Sequence, residues 1–424
     1  MAELQQVKFE KLVYGGEGLG RLADGRAVFV PFVLPGETAE IEITGQKERF
    51  ARGRMVNLLE ASLDRIDPPC PYFSNCGGCH YQHLSYAQQL QLKKELVRDQ
   101  LERIGKLTNL PDISITASPT PFGYRNQVQF HPIHGDNANV PVKLGFKRVF
   151  PSEVLPIEKC LLIPDEMNEI LPQIELESES GISRIAMRID SDGEIMLVFE
   201  GESDDPPELS IELPVSSTYL SPDGRSLNLG GNDALVYRVL GMEFLVSPES
   251  FFQVNLPVAE EMVRHVLSLI EGKENLSILE LYSGVGLFTR FLAPHASQLT
   301  AIESAPSACF DFAGNLDEFE HISLYEGAVE FILPELVKQI KPIDLVVLDP
   351  PRAGLNAHAR QALVDLEPKE IIYISCDPST LARDLKHFTE VGYNLQSVHA
   401  FDMFPQTAHV ETIVVIRRTQ RVTS

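Results

Sequence analysis

No run of apolar residues in the 424-residue chain approaches the ~20 that a membrane-spanning helix requires, so a membrane span is not expected. The opening residues, Met1-Ala2-Glu3-Leu4-Gln5, lack the basic and apolar regions of a secretory signal, so none is expected there. Cysteine is scarce: six residues are too few for a disulfide scaffold, and a reduced, cytoplasmic protein is the expectation. Positive charge is also short, with 36 Lys and Arg against 60 Asp and Glu and a net charge of −24. That balance argues against a simple basic nucleic-acid coat protein. Internal repeats and low-complexity tails are absent from the sequence.

What is present is ordinary for globular cores, with 44% apolar and 23% charged residues. The length suggests two to four domains. Charge is unevenly placed. Residues 165–212 hold 15 acidic side chains against Arg184 and Arg188, whereas residues 84–160 carry 10 basic and 7 acidic ones. A polyanion could meet the second stretch while the first faces solvent.

Three units are expected, 1–62, 63–240 and 241–424. In the first, turns at Gly15-Gly16 and Asp24-Gly25 punctuate short strands such as Ala27–Val30 and Ala39–Ile43, the pattern of a small β-barrel. The second contains a cysteine-rich knot at 70–83, a helical pattern over 86–104 ending at Gly105, and β-like runs such as Glu194–Phe199, which predict a mixed α+β region. The third alternates strands and helices. Strands are predicted at Leu276–Leu281, Gln298–Ile302, Asp344–Leu348, Glu370–Ser375 and Val410–Arg417, with a helix over 257–271, and this rhythm implies an α/β, mostly parallel sheet.

Four segments of that third unit can carry chemistry. Leu281-Tyr282-Ser283-Gly284-Val285-Gly286 runs from a strand through a glycine loop toward a helix, and Glu303 ends the next strand, placed to bind ribose hydroxyls. Thr289 stands where a dinucleotide fingerprint has its third glycine, which disfavours NAD; a plain tight turn remains open. Asp349-Pro350-Pro351-Arg352 follows an apolar strand and forms a stiff wall where α/β ligands sit. Ser375-Cys376-Asp377-Pro378 places a thiol between a strand and a helix N-terminus, a setting that stabilises a thiolate, although a lone buried thiol is more often packing. In His409-Val410-Glu411-Thr412 a carboxylate enters an otherwise apolar strand; a raised pKa there suits a general base.

The cluster Cys70-Pro71-Tyr72-Phe73-Ser74-Asn75-Cys76-Gly77-Gly78-Cys79, with distal Cys160, reads as a metal site in a reduced compartment. Four thiolates fit either an iron–sulfur cluster or a structural zinc ion. Cys309 is left over and is expected to be packing.

In combination these motifs resemble the S-adenosylmethionine-dependent RNA uracil-5-methyltransferases, which make 5-methyluridine in tRNA and 23S rRNA. The likeness extends over nearly the whole chain and includes Tyr124-Arg125-Asn126-Gln127-Val128-Gln129-Phe130 and Ser250-Phe251-Phe252-Gln253-Val254-Asn255. It implies a TRAM-like RNA-binding barrel, a central domain with a 4Fe–4S cluster on Cys70, Cys76, Cys79 and Cys160, and a C-terminal Rossmann-like methyltransferase domain. It also implies that Gln253, Tyr282, Glu303 and Asp349 contact S-adenosylmethionine, that Cys376 is the nucleophile and that Glu411 is the base. Ala328 stands where many relatives have an acid and Leu287 where some have a polar residue, so neither is assigned.

The chemistry requires such groups. C5 of uracil becomes nucleophilic once a thiolate adds at C6, and a base must then remove the C5 hydrogen. The target uridine has to be flipped out or lie in a loop. Phe252, Tyr282 and Phe404 are candidate stacking walls, and Arg125, Lys143, Lys147 and Arg148 candidate phosphate contacts. 23S rRNA is the favoured partner, with tRNA second, and a monomer is the default. The competing readings are an RNA cytosine-5 methyltransferase and a non-catalytic RNA-binding assembly factor.

Overall fold

The computed structural model describes residues 4–133, 142–150, 153–177, 180–208, 211–340 and 342–419. Strands β1 (Gln5–Leu12), β2 (Glu17–Arg21), β3 (Ala27–Pro31), β4 (Thr38–Gln46) and β5 (Phe50–Glu60) close into a barrel in the order β1-β2-β3-β5-β4. Side chains alternate across β1, with Val7 and Phe9 buried and Lys8 and Glu10 exposed. The barrel is narrow enough that β2 needs glycine at its closest approaches. A Cβ on Gly18 would lie 2.3 Å from Val33, and one on Gly20 2.4 Å from Val7.

The cysteine segment follows as turns with one isolated bridge, Cys76 to Arg148. Helix α1 (Tyr86–Arg103) starts at Ser85, whose side chain accepts from the Gln88 amide. After β6 (Ile113–Thr116) comes the middle sheet of β7 (Gln127–Ile133), β8 (Lys143–Lys147), β9 (Val154–Pro156), β10 (Ile182–Ile189), β11 (Ile195–Gly201), β12 (Ser216–Leu220) and β13 (Ser226–Gly230). Its order is β13-β12-β11-β10-β7-β8-β9, and the short helix α2 (Asp165–Ile170) lies between β9 and β10 in the chain. A hairpin, β14 (Leu235–Val239) and β15 (Met242–Val246), leads to the last unit.

That unit comprises α3 (Leu256–Leu269), β16 (Leu276–Leu281), α4 (Leu287–Leu292), β17 (Ala296–Glu303), α5 (Pro306–Asn315), β18 (Ile322–Glu326), α6 (Val329–Leu336), β19 (Leu345–Leu348), α7 (Ala357–Leu366), β20 (Glu370–Ser375), α8 (Pro378–Glu390), β21 (Tyr393–Phe401) and β22 (Glu411–Arg418). The sheet order is β18-β17-β16-β19-β20-β22-β21-β6. Strands β16 to β20 are parallel with β18 at one end, and β22 runs against both of its neighbours. One face is packed by Val258, Met262, Phe288 and Phe312 from α3, α4 and α5, and the other by Val97, Leu333, Leu363 and Leu385 from α1, α6, α7 and α8. Burial on both faces is why β19 and residues Ile371–Ile374 of β20 read as apolar runs.

The expected three-part fold, a small barrel, a mixed middle region and a C-terminal α/β unit, is the fold observed. The sheet differs from the sequence reading in its far edge. Residues 86–116, placed by sequence in the middle unit, supply α1 and β6 to the last sheet, where β6 pairs with β21 in parallel. Among the described residues no helix is long and apolar enough to cross a membrane.

Candidate active site and cysteine site

In an open parallel sheet, ligands collect at the carboxyl ends of the strands, where the strand order reverses. Here the reversal falls between β16 and β19. Tyr282 follows β16, Glu303 ends β17, Asp349 follows β19, Cys376 follows β20, and Glu411 begins the antiparallel β22. Sheet order therefore aligns them along one edge as Glu303, Tyr282, Asp349, Cys376, Glu411.

The glycine loop is built around Glu303. One carboxylate oxygen accepts the Gly284 amide at 2.9 Å, while the other accepts Ser304 N at 2.6 Å and Ala305 N at 2.8 Å. Tyr282 adopts φ +61°, rare for an aromatic residue, and its amide donates to Ile302 O at 2.9 Å. Gly284 and Gly286 follow at φ +56° and +91°. A Cβ on Gly286 would lie 2.7 Å from Leu316, whereas the space above Gly284 is open. Ser283 Oγ is buried without a hydrogen-bond partner, which suits a polar ligand seated over the loop. Burial pushes Asp349 up to about 7 and Glu280 up to about 8, the latter accepting from Thr289 Oγ1 at 2.6 Å. Leu287 opens α4 as a buried apolar residue, and Ala328 caps α6 without a side-chain hydrogen bond.

Gln253 sits on a separate loop that leads into α3. The two motifs flanking it in the sequence reading meet here: Asn126 Nδ2 donates to Gln253 O at 3.0 Å, and Asn126 N to Val254 O at 3.0 Å. Buried Arg188 fixes the start of the same loop by donating to Ser247 O, Pro248 O and Ser250 O at 3.1, 2.9 and 3.0 Å. Phe252 is core. Its ring stacks on Tyr237 at 4.9 Å, so its role as a stacking wall is withdrawn. The neighbouring Phe251 is 66% exposed and is the aromatic on that loop free to meet a base.

Ser375 pairs with Thr412, so Cys376 and Glu411 lie one step beyond on adjacent antiparallel strands. Burial, then Asp349, pushes Glu411 up to about 8 against the pull of Arg352. Burial, then Glu411 and Asp349, pushes the Cys376 thiol up to about 12, again against Arg352. This corrects the expectation that the helix N-terminus stabilises a thiolate. Asp377 already caps α8, taking Ser379 N at 2.9 Å and Thr380 N at 3.0 Å, and the groups around the sulfur are mostly acids. The sequence signal for this was the Cys-Asp-Pro order itself, an acid at the cap position.

The cysteines of the knot converge with the distal one. Cys70, Cys76, Cys79 and Cys160 line one cavity of about 600 Å³, together with Arg125, Lys147, Arg148, Lys159 and Phe251. All four are free thiols. Gln82 Nε2 donates to Cys79 Sγ at 3.2 Å and Gly78 N to Cys76 Sγ at 3.4 Å. Burial, with the other thiols adding to it, pushes Cys79 up to about 12, and burial pushes Cys160 up to about 11. Four converging sulfurs, with N–H donors aimed at two of them, suit a cationic occupant. Among the described residues no three His, Cys, Asp or Glu side chains close on one metal ion as they stand. Cys309 is buried, as expected of packing.

Comparison with known proteins bears on the whole arrangement. Residues 332–419, which include Asp349, Cys376 and Glu411, match the tRNA (uracil-5-)-methyltransferase family model, and residues 3–56 match the TRAM domain. An RNA methyltransferase of Fusobacterium nucleatum is 34% identical over 99% of this chain and 96% of its own. The chain belongs to the RNA uracil-5-methyltransferase family. An RNA methyltransferase of Bacillus cereus is 32% identical over 99% of this methyltransferase and 97% of its own length. The fold is shared with the Pyrococcus abyssi tRNA (uracil-54, C5)-methyltransferase solved with S-adenosyl-L-homocysteine, at a TM-score of 0.73 and 24% identity over 97% of this chain and 100% of that one. The methyltransferase is thus an RNA-modifying enzyme with a TRAM barrel at its N-terminus.

Proposed function

We propose that the methyltransferase transfers the methyl group of S-adenosylmethionine to C5 of a uridine in 23S rRNA, acting as a cytoplasmic monomer. The carrying observation is the placement of Cys376 and Glu411 on adjacent strands, with Asp349 beside both. S-adenosylmethionine supplies an electrophilic methyl group on a positively charged sulfur. Glu303, Tyr282, the glycine loop, Gln253 and Asp349 would hold it.

Cys376 adds through sulfur to C6 of the uracil, and the ring electrons move to O4 as an enolate. C5 then takes the methyl group. Glu411 removes the C5 hydrogen as a proton, the C5–C6 double bond re-forms, and Cys376 leaves as the thiolate. Burial and the neighbouring acids push both groups toward their protonated forms in the free enzyme, so each releases its proton to solvent before it acts. The positive charge that the methyl donor supplies when bound would oppose those acids and favour the ionised forms.

The thiols of Cys70, Cys76, Cys79 and Cys160 would hold the 4Fe–4S cluster, which has no electron to transfer in this scheme and acts as a clamp on the middle domain. The basic residues around that cavity and exposed Phe251 would meet the RNA. A tRNA target is the second reading, favoured by the shared fold with the Pyrococcus enzyme. Mass-spectrometric mapping of 5-methyluridine in 23S rRNA and tRNA from cells lacking the protein separates the two. Loss of 5-methylcytidine instead would overturn both.

A further inference from the structure

The N-terminal barrel is seated firmly against the rest of the enzyme. Leu12 and Leu34 share an apolar cluster with Tyr81, Leu84 and Ala408, and the Phe32 ring meets Phe73 edge-on at 5.1 Å. Lys11 Nζ lies 3.1 Å from Asp99 Oδ1 of α1. The turn between β1 and β2, Val13-Tyr14-Gly15-Gly16, is tight. Gly16 N donates to Val13 O at 3.1 Å, Gly15 and Gly16 have φ of +100° and +89°, and a Cβ on Gly16 would lie 3.1 Å from His80. This packing aims Tyr14 away from the barrel.

Tyr14 arrives beside the nucleophile. Its hydroxyl donates to Asp377 Oδ2 at 3.0 Å. Asp377 is the residue after Cys376, and its other oxygen caps α8. The Arg352 guanidinium also lies against the Tyr14 hydroxyl, and it reaches His409 Nδ1 at 3.4 Å. The charged groups that face Cys376 are Glu411, Asp349 and Asp377 on the acidic side and Arg352 on the basic side. Tyr14 touches two of these four, from a domain whose family role is RNA binding.

We infer that Tyr14 is a positioning residue for methyl transfer: the barrel delivers its hydroxyl to hold Asp377 and Arg352, and through them the aim and ionisation of Cys376. The inference rests on the reading of Cys376 as nucleophile. Without the hydroxyl, Asp377 Oδ2 loses a donor and bears more strongly on the thiol, while Arg352 loses a fixed neighbour. Both changes move the thiol further from ionisation. Barrel seating and nucleophile reactivity are then one event, so RNA that engages the barrel meets a site already set.

The test is Tyr14→Phe in the full-length, cluster-loaded enzyme, which keeps the ring and its packing. The rate of Cys376 alkylation by iodoacetamide is followed against pH without RNA and read by peptide mass spectrometry. The thiolate fraction falls about tenfold for each unit by which the thiol pKa rises. The expected result is slower alkylation throughout the rising part of the profile, with a matching delay in adduct formation on RNA carrying 5-fluorouridine. In an Asp377→Asn background the Tyr14→Phe effect on alkylation should largely vanish, because the charge it controls is gone. An alkylation profile unchanged by Tyr14→Phe overturns the inference, as does an effect of the same size in the Asp377→Asn background. If wild-type enzyme forms no adduct, the assignment of Cys376 fails instead.

Discussion

Ser375 pairs with Thr412 across β20 and β22, and that register alone sets Cys376 opposite Glu411 at the end of the sheet. If the two act in sequence, their variants must fail differently. Cys376→Ala should neither methylate nor become cross-linked to RNA carrying 5-fluorouridine. Glu411→Gln should still attack C6 and take the methyl group but lose the proton-removal step, cutting turnover about 10²–10⁴-fold. On ordinary RNA it should therefore accumulate a methylated protein–RNA adduct, visible as a slow band on a denaturing gel. A Glu411→Gln enzyme that turns over normally would remove this residue from the chemistry.

Burial holds protons in this site, and that links stability to pH. Glu280, Asp349 and Glu411 are pushed up to about 8, 7 and 8, where unfolded carboxyls titrate near ~4. The folded protein binds protons that the unfolded chain releases. Their contribution is therefore complete below the unfolded value and is lost as pH rises through about 7–8. The ligand-free enzyme should show a falling Tm between about pH 5 and pH 8. Glu280→Gln, which keeps a partner for Thr289 Oγ1, should flatten that fall. A Tm that rises over the same interval would show that these acids are ionised in the folded state.

Much of this was readable before any coordinates, and the reasons differ by element. β16 and β20 were legible to the residue, because strands buried on both faces are dominated by apolar residues and each is followed by a turn-forming segment. β18 and β21 were not, since Ile322–Glu326 is largely exposed and Tyr393–Phe401 carries Asn394, Gln396 and His399 among its apolar positions. The placement of α1 and β6 was invisible because pairing with β21 spans nearly 300 residues of sequence, which no local pattern records. Cys376 and Glu411 were found as motifs, but the thiol's acid-rich surroundings come from three separate strands and needed the sheet order. Tyr14 was hidden for the same reason: as a sequence it is one aromatic before two glycines.

Lys93 and Asp402 form a fully buried ion pair, 2.5 Å apart, between α1 and the loop that carries Phe404 to His409 into Glu411. Lys93 Nζ also donates to Phe404 O at 3.0 Å. Removing one partner leaves the other charge stranded in a dry interior, so Lys93→Met should destabilise the enzyme by ~3–5 kcal/mol. Lys93→Met with Asp402→Leu should recover much of that loss in denaturant unfolding. Recovery of stability without recovery of turnover would show that the pair sets the loop's conformation as well as its stability. Failure of Lys93→Met to lower stability would mean that water reaches Asp402.

The cysteine cavity gives a prediction that separates structure from redox chemistry. Purified without exposure to air, the enzyme should contain iron and acid-labile sulfide in equal amounts, and Cys79→Ala should lose both. Because Cys79 is followed directly by His80 and Tyr81, whose amides donate to Gln406 O at 2.8 and 3.0 Å, the loss should weaken RNA binding and loosen the loop before Glu411. S-adenosylmethionine binding through Glu303 and the glycine loop, which are not among the residues lining the cysteine cavity, should be retained. Zinc in place of iron, or full turnover by a metal-free protein, would defeat the cluster assignment.

Arg188 tests whether the middle sheet positions the methyl donor. Its guanidinium is buried on β10 and is spent on three backbone carbonyls of the loop that ends in Gln253. Arg188→Met keeps much of the side-chain volume but removes the guanidinium donors from Pro248 O and Ser250 O, while Ser247 O keeps the Ser250 amide; each buried carbonyl left unpaired costs ~1–3 kcal/mol unless water or a loop shift satisfies it. The cheaper outcome is a loop shift, because the segment Ser247–Ser250 precedes α3 and is anchored otherwise by Asp311, which accepts from Ser247 N and Oγ. S-adenosylmethionine affinity should therefore fall several-fold in calorimetry, while the alkylation profile of Cys376, which Arg188 does not touch, stays as in the wild type. A loss confined to thermal stability, with donor affinity intact, would show that Gln253 does not depend on this loop geometry to meet its ligand.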